Sequence, residues 1–182
     1  GRSIVSRGYF YKKNKTKKFN YSTKEIFTVP NIFPFSLMNR FIIKILNTIY
    51  FNFSRLGKNL TSINEFFYPL DKVKNWNNFY GKKGFISYQC SVPFKNAYKS
   101  IFEILMTMKK HKAYSFVSVL KSMEKKDFPL SFGQNGFTLV FDFPNYKDIA
   151  IVLNKVNDIV LKYNGKIYLA KDSIIKKENL KI

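Results

Sequence analysis

The sequence predicts an α+β fold: one antiparallel sheet with its helices on one face, in the split βαβ, ferredoxin-like order. Three observations predict it. Residues 85–92 and 136–144 alternate, with Ile86, Tyr88, Cys90 and Val92 on one side of the first and Phe137, Leu139, Phe141 and Phe143 on one side of the second. Residues 94–110 and 146–165 carry apolar side chains at helical spacing instead. With β-rich runs at 114–123 and 166–170, residues 84–171 then read strand-helix-strand, connection, strand-helix-strand.

Residues 1–83 are less regular and read as an extension that belongs to the same unit as the 84–175 core. "GRSIVSRGYF" has room for a short strand, and "KKNKTKK" (12–18) is a solvated loop. Ser36 is placed to cap a helix running to about Arg55, with Met38, Ile42, Ile45, Leu46 and Ile49 along one face. "NEFFYPLDKVKNWNNFYGKKG" (64–84) is aromatic, polar and broken by Pro69, Gly81 and Gly84, so it reads as a mobile loop with adhesive side chains.

The regular part follows in order. Pro93 ends the first strand, and Phe94, Ala97, Tyr98, Ile101, Leu105 and Met108 form the stripe of the helix after it. A connection with Pro129 and Gly133 leads from the second strand to the third. The second helix has the stripe Ile149, Val152, Leu153, Val156, Ile159, Val160 and Tyr163, and Gly165 suits the position just past its end. "KIYLA" is the last strand, and it stops on Lys171.

Composition removes several chemistries. Cys90 is the only cysteine and His111 the only histidine, which excludes an internal disulfide, cysteine metal clusters and multi-histidine metal sites. His111 lies in the charged run "MKKHKAY" and reads as a surface residue at a helix end. The net charge is +21, yet only four of the 32 basic residues are Arg. A solvated lysine surface accounts for this, as does an anionic ligand or membrane. No secretory signal is visible, and "FIIKILNTIYFNF" (41–53) is too short to span a bilayer and contains Lys44. A buried helix is the preferred reading there, and a helix lying on a membrane surface is the other. The 64–84 loop has the same two readings: its aromatics pack on one another, or they meet an anionic interface.

If both helices cover the apolar face of the sheet, the opposite face carries Ser87, Gln89, Thr138 and Val140, with Val119 and Lys121 from the second strand. Lys171 joins them if the last strand ends on that side. Two cations and an amide beside aliphatic side chains can bind an anion or a polar heterocycle. An ordinary solvated face reads the same way.

Beyond pattern, "NEFFYPLDKVKNWNNFYGKKGFISYQCSVP", "YSFVSVLKSM", "PLSFGQNGFTLVFDFP" and "NGKIYLAKDS" occur in an order and spacing that resembles the C-terminal substrate domain of the decaprenylphosphoryl-β-D-ribose 2′-oxidase family. These are flavoenzymes of the vanillyl-alcohol-oxidase type, related to sugar-lactone oxidases. "GRSIVSRG" and "NRFIIKILNTIYFNF" resemble what precedes those motifs, so the likeness spans roughly 1–175.

The resemblance implies a cap domain lying over the isoalloxazine ring of FAD, with the cofactor held mainly by an N-terminal domain. It implies oxidation of the ribose 2′-hydroxyl of a polyprenyl-phosphate sugar with hydride transfer to flavin, and a short-chain reductase partner that completes an epimerisation. Lys171 matches the lysine of the family's "AKDS" word, which faces flavin and substrate and acts electrostatically. Gln89, Val119, Lys121 and Leu70 match pocket-lining positions. Phe67 stands where the family often has Tyr, Ser87 for a Gln, Thr138 for an Asn and Val140 for a Cys, which puts the sugar and lipid in doubt. No Gly-rich FAD-binding half and no general base are visible, so the chain is expected to be a fragment that needs an FAD-binding half, in the same or another chain. The expected setting is bacterial, cytoplasmic or peripheral on the inner membrane. The rival readings are a fragment without activity and a basic ferredoxin-like module for single-stranded nucleic acid. The latter is disfavoured because the strand at 114–123 lacks an aromatic "RGFGFV"-like word.

Overall fold

The computed structural model describes residues 4–9, 26–53, 62–125, 131–171 and 174. It is α+β, as the sequence predicts. The extension holds β1 (Phe27–Thr28), α1 (Arg40–Phe53), α2 (Ile63–Phe67), a 3₁₀ turn at Pro69–Lys72, β2 (Val73–Lys74) and a second 3₁₀ turn at Trp76–Tyr80. The core follows as β3 (Phe85–Pro93), α3 (Ala97–Lys110), β4 (Val117–Met123), β5 (Gly136–Pro144), α4 (Ile149–Lys162), β6 (Lys166–Ile167) and a closing 3₁₀ turn at Leu169–Lys171.

The four core strands lie in the order β4-β5-β3-β6, all antiparallel. Each βαβ unit is thus split by a strand of the other, the arrangement the element order implied. Alternation sends Tyr88, Cys90, Val92, Leu139, Phe141 and Phe143 to one side, where they bury against Ile104 and Met108 of α3 and Val152, Leu153, Val156 and Val160 of α4. Inside this core the Tyr88 hydroxyl donates to Asn157 Oδ1 at 2.7 Å, so a phenol and an amide are buried together. Gly136 is fixed by backbone approach: a Cβ there would sit 2.0 Å from the Val92 carbonyl oxygen across the ladder.

Four details differ from the pattern reading. Residues 4–9 contain no strand; β1 instead pairs in parallel with β2. The cap of α1 is Asn39, whose Oδ1 accepts from the N–H groups of Phe41 and Ile42 at 3.0 Å each, while Ser36 Oγ accepts from Met38 N. Arg55 lies outside the described residues. Among the described side chains of α1 only Ile43 is buried, with Ile42 and Leu46 half-buried, and Ile45 and Ile49 face outward with Phe41. On α3 the inward stripe is Ala97, Ser100, Ile104 and Met108, and Tyr98 and Leu105 are exposed. Ser100 can face inward because its hydroxyl donates to the Asn96 and Ala97 carbonyls, so an apolar count alone misplaces the stripe.

Both core helices end alike. Beyond α3, Lys112 is left-handed (φ 55) and Ala113 N–H reaches back to Met108 O at 2.9 Å. Beyond α4, Asn164 is left-handed (φ 57) and Gly165 N–H reaches back to Val160 O at 2.8 Å. Asn164 therefore occupies the position assigned to Gly165. Glycine is needed at 165 because a Cβ would stand 2.5 Å from Ser91 O.

A second, smaller core lies at one end of the sheet. Met38, Ile43 and Tyr80 are buried there, with Leu46, Trp76, Phe79, Phe85, Tyr114 and Phe116 packed on them. Tyr80 stacks on Phe85, with ring centroids 4.8 Å apart, and Trp76 lies 5.3 Å from Phe85. The aromatic 64–84 stretch thus directs Trp76, Phe79 and Tyr80 inward, onto the strand that follows it.

Candidate functional site

The face of the sheet opposite α3 and α4 is built from three rows set by register. Val117, Asp142 and Ser87 form the first, Val119, Val140 and Gln89 the second, and Lys121, Thr138 and Ser91 the third. Residues paired across neighbouring strands point to the same side. The structure therefore brings Ser87, Gln89, Val119, Lys121, Thr138 and Val140 onto one surface.

That surface is walled at both ends. Beyond the first row, Phe85 points to the same side as Ser87 and carries Tyr80 and Trp76 on it. At the third row, Ser91 Oγ donates to Phe132 O and accepts from Gln134 Nε2, so residues 131–134 cover Ser91 and Thr138, which are fully buried. Phe132 also packs against Tyr168, centroids 4.8 Å apart. Between the walls, Val119, Val140 and Gln89 are half-buried and Lys121 is exposed. Gln89 is oriented by its neighbour: its Nε2 donates to Thr138 Oγ1 at 3.2 Å, and Thr138 Oγ1 donates to Cys90 O at 3.1 Å.

Lys171 arrives along the edge. Ile167 pairs with Cys90, and Tyr168 N–H donates to Gln89 O at 2.9 Å, so the chain runs antiparallel beside β3. The Leu169–Lys171 turn, closed by Lys171 N–H to Tyr168 O at 3.1 Å, continues toward the Ser87 end of that strand. Phe67 and Leu70 stand elsewhere. Phe67 is on α2, half-exposed and edge-on to Phe66 at 5.1 Å, and Leu70 is in the 3₁₀ turn after it. Neither belongs to the sheet.

Sequence reading missed Asp142. It is a buried carboxylate in the first row, and its Oδ1 has no hydrogen-bond partner among the described residues. Burial raises its pKa above the usual aspartate value, while the Ser87 hydroxyl across the strand and the Lys171 charge pull it back. The Tyr80 hydroxyl is buried and unpartnered too; burial raises its pKa, and the Asp142 charge adds to the rise. The signal was present: Asp142 continues the 138, 140, 142 parity of a strand whose other side is Phe141 and Phe143.

Chemically, the surface is a narrow aliphatic floor with an oriented amide in it and ammonium groups at its margin. A flat ring system with hydrogen-bond acceptors along one edge fits such a donor set, and an isoalloxazine is one. Among the described residues no group of His, Cys, Asp and Glu is placed to hold a metal ion, and no helix is long and apolar enough to cross a membrane.

Comparison with known proteins finds a likeness to a sugar oxidase. The chain is 30% identical over 181 residues to decaprenylphosphoryl-beta-D-ribose oxidase of Mycolicibacterium smegmatis, an alignment that takes in 95% of this chain. It spans 39% of that protein's length, its C-terminal part. The likeness read from the motifs is thereby shown: this chain is similar, nearly end to end, to the C-terminal domain of that oxidase type. No family model matches it.

Proposed function

We propose that this chain is the substrate-binding portion of an FAD-dependent oxidoreductase that converts a sugar hydroxyl to a ketone, the sugar being carried on a polyprenyl phosphate. The observation that carries the reading is the row Val119–Val140–Gln89, half-open between two walls, with Lys121 and Lys171 at its edges. Residues 1–83 and 84–175 act together in it. The FAD-binding domain is supplied outside these residues, on the same polypeptide or another. A bacterial, cytoplasmic or inner-membrane-peripheral setting and a reductase acting on the ketone belong to the same reading.

Each side chain has a physical task. Val119 and Val140 exclude water from one face of the reacting centre. Gln89, held by Thr138, offers a fixed polar group to a sugar oxygen. Lys121 attracts a substrate oxygen or the phosphate. FAD, when bound, supplies the hydride acceptor. Lys171 sets a positive charge at the margin of the floor, which favours a state in which negative charge has developed over one in which it has not. Ser87 completes the proposed lining on the sheet, and Phe67 and Leu70, which stand off it, are proposed to reach the substrate from α2 and the turn after it. Ser87, Thr138 and Val140 are smaller or less polar than their family counterparts, which favours a sugar or lipid different from the relative's.

Membrane contact is part of the proposal, and α1 is its element. Phe41, Ile45 and Ile49 form an exposed stripe, Arg40 and Lys44 flank it, and the helix has no acidic residue. That combination suits an anionic lipid surface. The nucleic-acid reading gains nothing here: the only aromatic on the open side of β3 is Phe85, and Tyr80 stacks on it.

The test is a chimera in which this chain replaces the C-terminal part of the mycobacterial relative. We expect bound FAD and oxidation of polyprenyl-phosphate sugars. Lys171→Met should leave FAD binding intact and slow substrate-driven bleaching of the flavin band roughly tenfold or more. A folded, FAD-loaded chimera that oxidises no such sugar defeats the reading.

A further inference from the structure

We infer that Asp142 is the residue that positions Lys171, as a buried carboxylate toward which the ammonium is drawn. The assignment rests on backbone geometry first. Asp142 lies across from Ser87 on β5, and β6 with its closing turn runs antiparallel to β3 toward that same Ser87 end. Lys171 and Asp142 thus approach the first row from opposite sides of β3.

The surroundings of Asp142 make it a fixed anchor. Its backbone is clamped: Asp142 N–H donates to Ser115 Oγ at 3.0 Å, Ser115 Oγ donates to Asp142 O at 3.0 Å, and Phe116 N–H donates to the same carbonyl at 3.2 Å. Its carboxylate is buried, and one oxygen has no partner among the described residues. The groups facing it are the Ser87 hydroxyl, the Tyr80 phenol and the Lys171 cation. Of these only Lys171 carries positive charge. A buried carboxylate without a full set of hydrogen bonds is costly, and a cation at its open side is what offsets the cost.

The consequence concerns direction. A lysine on a strand end has a four-carbon stem with many rotamers, and pointing it at one place costs entropy. An anchored counter-charge beneath it limits those rotamers. If the surface serves as proposed above, the ammonium is then held at the margin of the Val119–Val140–Gln89 floor before any ligand arrives.

The pairing is testable without flavin. The Asp142 carboxyl carbon is followed by NMR across pH in the 182-residue chain and in its Lys171→Met variant. Lys171 is exposed, so its replacement leaves the core untouched. We expect the Asp142 midpoint to move upward when the cation is removed; an unchanged midpoint overturns the pairing. In the chimera, Asp142→Asn and Lys171→Met should each lower kcat by a similar factor with little change in KM, and the double variant should lose no more than either single one. Losses that multiply overturn the positioning role. If the wild-type chimera is inactive, the functional reading fails, and the titration still decides the pairing.

Discussion

Asp142 sits directly across the ladder from Ser87, yet one of its carboxylate oxygens is buried with no partner among the described residues. A carboxylate held this way opposes folding when ionised. Its folded pKa lies above the ordinary value of 3.8, with burial the main cause. The folded state therefore binds the proton more tightly than the unfolded chain. The stability this contributes is complete below pH 3.8 and is lost as pH rises through the raised folded pKa. Asp142→Asn removes the titration. At neutral pH the variant should melt above wild type, and the difference should shrink as pH falls through the raised folded pKa toward 3.8, below which it stays small. Thermal melts at several pH values check this. A gain in stability on removing the group that positions Lys171 is the trade expected of a functional residue.

The two matching helix ends make a second prediction with opposite signs. Lys112 takes a left-handed conformation (φ 55) that costs a side-chain-bearing residue energy. Lys112→Gly should stabilise the protein by about 0.5–1 kcal/mol, since relief of the αL strain outweighs the added freedom of the unfolded chain. At the other helix end, Gly165→Ala should destabilise it, because the new Cβ meets Ser91 O at 2.5 Å and Val160 Cγ1 at 2.7 Å. Urea titration of both variants measures the two shifts.

Cys90 supplies a third. It is fully buried between the sheet and the helices, and burial pushes its thiol up to about 12, against a smaller opposing effect of Tyr88. The reactive thiolate is thus scarce at neutral pH and enclosed as well. In native buffer the chain should resist a thiol reagent such as DTNB, and it should react with one equivalent in denaturant. Rapid native labelling would contradict the packing of β3 against α3 and α4.

Most of the core was legible because its periods are clean. The strand alternation at 85–92 and 136–144 and the stripe of α4 give element type, face and order together. Helix faces rich in apolar residues all round were not legible. In "FIIKILNTIYFNF" several stripes compete, and which one is buried depends on Tyr80, which reaches it from a distant part of the chain, together with the nearby Met38. Asp142 was hidden for a related reason. Its meaning comes from Tyr80 and Lys171, which reach it from 3₁₀ turns far along the chain, so tertiary packing, not local sequence, brings them to it. The pairing of β1 with β2 spans over forty residues and only two positions each, too little to leave a pattern.

The last prediction follows from that misplaced face of α1. Trp76 and Phe79, which composition offered to a membrane, are packed against Phe85, Tyr80 and Met38. The exposed apolar side chains belong to α1 instead, where Phe41 is 76% and Ile45 57% exposed. Lys44 stands between them, and with Thr48 they line a shallow groove of about 360 Å³. If α1 rests on lipid, the apolar stripe enters the headgroup boundary and Arg40 and Lys44 meet anionic headgroups. Sedimentation should then show binding to phosphatidylglycerol-containing vesicles that weakens with salt. Phe41→Ser together with Ile45→Ser should reduce it strongly, and Trp76→Ser should act only through loss of fold, visible as a lower melting temperature. Vesicle binding that survives the α1 double change, or that is equal on neutral vesicles, would rule out this helix as the contact.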